Sequence, residues 1–167
     1  MEIIKVGHPT LAQKALPVEN ITGEIVELAR NMVETMHRAP GIGLAAPQVN
    51  VSLRLITVDL SVGEKPDQLI IMINPEVVEQ EGELLGEEGC LSVPGIYENI
   101  TRPARVQVRG YDLDGREVTI EAEDLLARVF CHEIDHLEGK LFIDRLSPLK
   151  RHLIKSRLRK ELEKKKG

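Results

Sequence analysis

Two histidines four residues apart, His132 and His136, stand in the stretch CHEIDHLEG at residues 131–139, with Glu133 between them. Imidazole nitrogens ligate transition metals and a neighbouring carboxylate can move protons, so the pattern points to metal-assisted hydrolysis. On a helix of about 100° per residue with His132 at zero, His136 falls at about 40° on the same face. Glu133 falls at about 100°, near enough to reach a water on the metal but badly placed to be a ligand. Cys131, at about −100°, points away from the ion and toward protein. Two histidines are half a site, and an HExxH pattern also arises by chance on ordinary helices. The remaining donor has to come from elsewhere.

The chain has only one other cysteine, Cys90, in GEEGCLSVPG at 86–95, where flanking glycines read as a turn that exposes it. It is the candidate third ligand. One thiolate and two neutral imidazoles, with the fourth position left to water, make an open catalytic site and not a closed structural one. Such a metal lowers the pKa of water from 15.7 toward about 7, and Glu133 can then move the proton. A second stretch, GIGLAAPQ at 41–48, is small, apolar and glycine-rich apart from Gln48. It is not a phosphate-binding loop, because Pro47 disfavours helix at Ala46. Gly41 and Gly43 suit backbone that hydrogen-bonds an extended peptide, and the Gln48 amide is a neutral donor of the kind an oxyanion needs.

The elements that must hold these groups can be read from periodicity. Ile25, Leu28, Ala29, Met32, Val33 and Met36 recur at helical spacing, with Thr22 as N-cap and Pro40-Gly41 as the stop. LRLITVDL (53–60) and LIIMINP (69–75) read as strands, and 104–122 alternates across LDGR like a hairpin. The histidine helix is expected over about 123–138, with Gly139 at C′. Ser147-Pro148 opens a final helix, about 148–165, on which Leu149, Leu153, Leu158 and Leu162 form a narrow apolar stripe for docking. Strands joined by short turns, without strand-helix-strand alternation, favour an α+β fold over a doubly wound sheet.

Composition sets the outer bounds. A chain of 167 residues, 42% hydrophobic, suits a single domain over 1–167 with a real core. The longest aliphatic run, LIIMI, is far short of a membrane span, and MEIIKVGHPT lacks the layout of a secretory leader, so a cytoplasmic protein without membrane contact is expected. Two cysteines exclude a disulfide-dense scaffold. The net charge of −5 is unevenly spread, because residues 149–167 carry nine Lys or Arg against two Glu. A basic tail on an acidic body suits an anionic partner, or is simply a solvated helix face.

Taken together, GIGLAAPQ, EGCLS and HEIDH resemble the three signature motifs of the peptide deformylases, GxGxAAxQ, EGCLS and HExDH. The likeness extends to GHPTL near the start, INP at 73–75, RP at 102–103 and LSPLK at 146–150. The resemblance implies an α+β fold in which antiparallel strands surround a central HExxH helix, between an N-terminal and a C-terminal helix. It implies removal of the formyl group from the N-terminal formylmethionine of nascent polypeptides, with release of formate. By the same resemblance Cys90, His132 and His136 hold one divalent metal, natively Fe2+, with Ni2+, Co2+ or Zn2+ as alternatives. Glu133 is the general acid/base, and Gln48 with the Leu91 N–H holds the oxyanion. Ile42, Leu125 and Val129 are expected around the methionine side chain, with Gly43 and Gly89 also touching substrate. The basic C-terminal helix is expected to meet the ribosome near the peptide exit. One departure is Cys131, where the family commonly has Gln. Asp135, at about −60° on the wheel, is expected to pair with Arg102 behind the ligands. A zincin-type protease and a metal-binding relative without activity are the rival readings; the first would take a further His or Glu as third ligand, and the second would have little need of Glu133 and Gln48.

Overall fold

The computed structural model describes residues 1–166. The chain runs α1 (Gly23–Arg38), β1 (Gly43–Ala45), β2 (Leu55–Val58), β3 (Ile70–Glu81), β4 (Leu84–Cys90), β5 (Val93–Arg102), β6 (Arg105–Tyr111), β7 (Glu117–Glu123), α2 (Asp124–Leu137) and α3 (Pro148–Lys166). Five strands form an antiparallel sheet in the order β1-β2-β3-β6-β7, and β4 and β5 form a separate antiparallel pair. The arrangement is α+β.

The segment LITV of β2 explains the layering. All four of its residues are buried, so it must be covered on both faces. Leu55 packs in a cluster with Ala29, Met32 and Met36 of α1, and the Thr57 hydroxyl donates to Leu44 O and to Met36 Sδ. Ile56 and Val58 instead join Ala127, Val129, Phe130 and Leu137 of α2. The strand's period of two thus places one helix on each face of the sheet. Thr22 caps α1 as expected, accepting from Ile25 N.

The far end of α2 is fixed by its C-cap. Gly139, at φ 74°, lets its own N–H reach His136 O and the Lys140 N–H reach Asp135 O, the paired bonds of a Schellman ending. A side chain at Gly139 would collide with the Ala12 carbonyl, so the same glycine lets the N-terminal segment pass close behind the helix. Ala15 N donates to Leu137 O, and Arg54 bonds both Leu137 O and Glu138.

Two expectations need correction. Residues 84–90 and 93–102 are strands: Cys90 is the last residue of β4 and not part of a turn, and the reversal comes after it, at Leu91 and Ser92. The helix α3 docks through Ile154 and Leu158, buried against Val93, Ile96 and Phe142, while Leu149 and Leu153 are exposed. Of the expected stripe, Leu158 docks while Leu149 and Leu153 face away, because spacing on a highly charged helix does not say which side a neighbour covers. The side chain of Leu162 lies outside the described residues.

Candidate metal centre

The helix α2 delivers three of the four chemistry-bearing groups. His132 and His136 lie one turn apart on its inner face, with ring centroids 5.0 Å apart. The end of β4 brings in Cys90, whose Sγ is 3.4 Å from His136 Nε2. One donor atom from each of Cys90, His132 and His136 lies within 4.8 Å of the other two, the only such cluster among the described residues. Cys131 is not part of it. That thiol packs beside the α2 core, and burial pushes its pKa up.

The donor chemistry fits a cation. His132 Nδ1 faces Glu88 Oε1 at 3.0 Å, so a proton held there as a hydrogen bond leaves Nε2 as the free donor. His136 Nδ1 is buried without a partner, and burial together with the His132 charge holds this imidazole well below its ordinary pKa, in the neutral form that ligates metals. At His132, burial works against protonation, yet Glu133, Cys90 and Glu88 together raise the pKa well above normal. The surroundings of His132 thus favour positive charge at this end of the cluster.

Glu133 is 4% exposed, and its Oε1 has no hydrogen-bond partner. Its carboxylate lies against Gly43, where any added Cβ would collide with it, so the glycine at this position makes room for the acid. Burial lifts the Glu133 pKa to about 7 against the lowering pull of His132. The carboxyl therefore changes protonation near neutrality, a property suited to general acid/base chemistry.

Gln48, 1% exposed, sits in the 3-10 turn Ala46–Val49 directly after β1. Its orientation is fixed: Oε1 accepts from Ala45 N at 3.0 Å, and Nε2 donates to Ser92 Oγ at 3.1 Å and toward Cys90 Sγ at 3.6 Å. The amide nitrogen is thus turned toward the thiol.

A cavity of about 460 Å³ opens over these groups. Ile42, Gly43, Gln48, Gly89, Cys90, Leu91, Leu125, Val129, His132 and Glu133 all line it. Leu125 is half exposed at the rim, whereas Val129 is buried. Arg102 and Asp135 are not in the cavity. They lie behind the histidines, where Arg102 Nη1 donates to Asp135 Oδ2 at 2.7 Å. A depression of about 610 Å³ between the N-terminus and α1 is larger but contains no histidine, cysteine or buried acid.

Sequence reading missed the remainder of this polar layer. Arg102 also donates to both oxygens of Glu88, and Arg128 donates to Glu88 Oε2 and to the carbonyls of Leu84 and Ile100. Arg145 holds both oxygens of Asp135. Burial alone would raise the Glu88 pKa, but the hydrogen bonds and charges of Arg102 and His132 bring it down to about 2. The one available signal was position: Glu88 is two residues from Cys90, and Arg128 is one helical turn before His132.

Comparison with known proteins agrees with this geometry. A sequence model described as polypeptide deformylase matches residues 1–152. The peptide deformylase of Thermodesulfovibrio yellowstonii is 51% identical over 95% of this chain and 96% of its own. That of Syntrophobacter fumaroxidans is 50% identical over 98% and 96%. The crystal structure of a peptide deformylase from Legionella pneumophila superposes with a TM-score of 0.91 at 43% identity, covering 98% of this chain and 96% of that one. With the three motifs, the cysteine-histidine cluster and the fold in agreement over the length of the chain, it belongs to the polypeptide deformylase family.

Proposed function

We propose that this chain hydrolyses the formamide of N-terminal formylmethionine on nascent polypeptides, releasing formate and a free amino terminus, by means of the residues gathered around Cys90, His132 and His136. The observation that carries the reading is the placement of the buried Glu133 carboxylate, one oxygen unpartnered, beside the Cys90–His132–His136 cluster, with Glu133, Cys90 and His132 lining one cavity.

Cys90, His132 and His136 would hold a divalent ion, for which Fe2+ is the proposed native species; the same donors accept Ni2+, Co2+ or Zn2+. When bound, such an ion polarises the formyl oxygen and lowers the pKa of water toward about 7. The protein groups do the rest. Glu133 takes the proton from the attacking water and passes it to the departing amine. Gln48 Nε2 and the Leu91 N–H stabilise charge on the formyl oxygen, and losing one such donor typically costs about 10²–10³ in rate.

Substrate can enter as an extended strand. β1 is the last strand of its sheet and β4 has only β5 as a neighbour, so each has one free edge. Residues 40–43 and 87–91 both line the cavity, which supports pairing of a peptide with one or both of these edges. Ile42, Leu125 and Val129 then surround the methionine side chain, with Gly43 and Gly89 next to its backbone. Arg102 and Asp135 hold α2 beside the ligands from behind.

The reading includes one catalytic unit acting in the cytoplasm, with α3 meeting ribosomal RNA near the peptide exit. No helix among the described residues is long and apolar enough to cross a membrane. The exposed Leu149 and Leu153 lie among the lysines and arginines of α3, a surface suited to phosphate contact. Binding should fall steeply with salt and disappear on deletion of 149–167.

The test is formate release from a formylmethionyl peptide, run anaerobically with metal content measured on the same sample. Turnover that scales with one bound metal per chain is expected. Cys90→Ser should weaken metal binding and Cys131→Ser should not; the reverse outcome would overturn the ligand assignment.

A further inference from the structure

The β4–β5 hairpin has two distinct faces. Glu88 points inward to Arg128 and His132, while Leu85, Glu87 and Gly89 alternate onto the outer face and are exposed. Gly89 pairs across the ladder with Tyr97, which is 65% exposed. The Tyr97 ring lies where a Gly89 side chain would be, with ring carbons 2.6 and 2.7 Å from the position of an added Cβ. The ring thus crosses bare backbone toward the free edge of β4, and Tyr97 lines the cavity. An aromatic ring left this exposed beside a cleft offers a flat, largely apolar surface that the described residues leave uncovered.

Strand geometry determines which part of a substrate could use it. A peptide added to the free edge of β4 continues that strand pair's alternation, so successive side chains point to opposite faces. If the methionine side chain points inward to Leu125, Val129 and His132, the next residue's side chain points outward, onto the face of Tyr97. We infer that Tyr97 is a specificity-determining residue that packs against the side chain of the substrate residue immediately after formylmethionine and favours an aromatic or leucine side chain there. Glu87, two residues from Gly89 on the same face, makes an acidic side chain at that position unfavourable. This inference rests on the deformylase reading above and extends it to the second substrate residue.

The experiment compares kcat and KM for formyl-Met-X-Ala peptides, with X as Phe, Leu, Ala or Glu, in the metal-loaded parent, Tyr97→Ala and Tyr97→Phe. In the parent, KM should rise in the order Phe, Leu, Ala, Glu. Tyr97→Ala should raise KM for X as Phe or Leu about three- to tenfold, in keeping with the strength of one aromatic contact. It should change KM for X as Ala less than about twofold and leave kcat unaltered, and Tyr97→Phe should restore the parent pattern. A uniform change across all four peptides, or a change confined to kcat, would overturn the role of Tyr97. Absence of turnover on every peptide in the loaded parent would instead overturn the deformylase reading.

Discussion

Two buried glutamates flank His132, and they behave in opposite ways. Glu88 and Glu133 are 5% and 4% exposed, so burial penalises both carboxylates. On the hairpin side, Glu88 receives Arg102, Arg128 and His132, and its pKa falls to about 2. On the cavity side, Glu133 has one oxygen without a hydrogen-bond partner, and its pKa rises to about 7. The first is a permanent anion that can orient an imidazole; the second can exchange a proton at neutral pH. Both are glutamates with little exposure, and the arginines that reach Glu88 but not Glu133 divide the roles.

The largest test of that contrast is Glu133→Gln. It should lower turnover by about 10²–10⁴ while leaving metal content and melting temperature at or above the parent's, because the acid has no ion partner to lose. A stability loss with turnover retained would place Glu133 among the structural acids. Arg102→Ala should do the converse, costing about 3–5 kcal/mol of stability by leaving Glu88 and Asp135 with fewer buried partners. Chemical denaturation with metal content matched measures it, and a change below about 1 kcal/mol would mean the layer behaves like a surface pair.

A smaller effect is visible in acid. The folded-state pKa of Glu88 is below its unfolded value of 4.5, so its contribution is complete above 4.5 and is lost as pH falls toward about 2. The shift corresponds to a contribution on the order of 3 kcal/mol. The stability gap between the parent and Glu88→Gln should therefore be widest near neutrality and close across that window. A gap that stayed constant with pH would show that Glu88 is not the titrating group. Arg109→Ala should do least. Arg109 reaches Glu76 at 2.6 Å, as short as any contact behind His132, but it is 48% exposed. An unfolding midpoint equal to the parent's is expected, since solvent screens such pairs.

The same contrast marks what could be read from the sequence. Glu133 stood out because ligand types on both sides constrain what a residue between them can do, and the spacing of HEIDH fixes a helical face without tertiary information. The helices α1 and α2 were visible for a similar reason, through helical spacing, and the central strands through short apolar runs bounded by turn residues. Glu88 was invisible: an acid in EEGC reads as solvated until one knows that Arg102 and Arg128 arrive from β5 and α2. The hairpin itself was hidden because LLGEEGC has no hydrophobic alternation, with only Glu88 fully buried along β4. Arg128 on an amphipathic helix likewise passes for a surface residue. On α3 the four leucines were read as one stripe, and only the presence of Phe142 and Ile96 beneath Ile154 and Leu158 decides which residues dock.

The glycine that ends α2 also bears on when the site can exist during synthesis. Gly139 rests on the carbonyl of Ala12, and Leu137 is bonded from Ala15 and Arg54, so the helix carrying both histidines is seated on the beginning of the chain. Contacts of such long sequence separation close slowly and late. A partly made chain can hold the GIGLAAPQ wall, but Cys90 waits for its histidines until the segment through Gly139 has emerged. On a nascent chain the cluster of Cys90, His132 and His136 is therefore incomplete until the segment through Gly139 has been made.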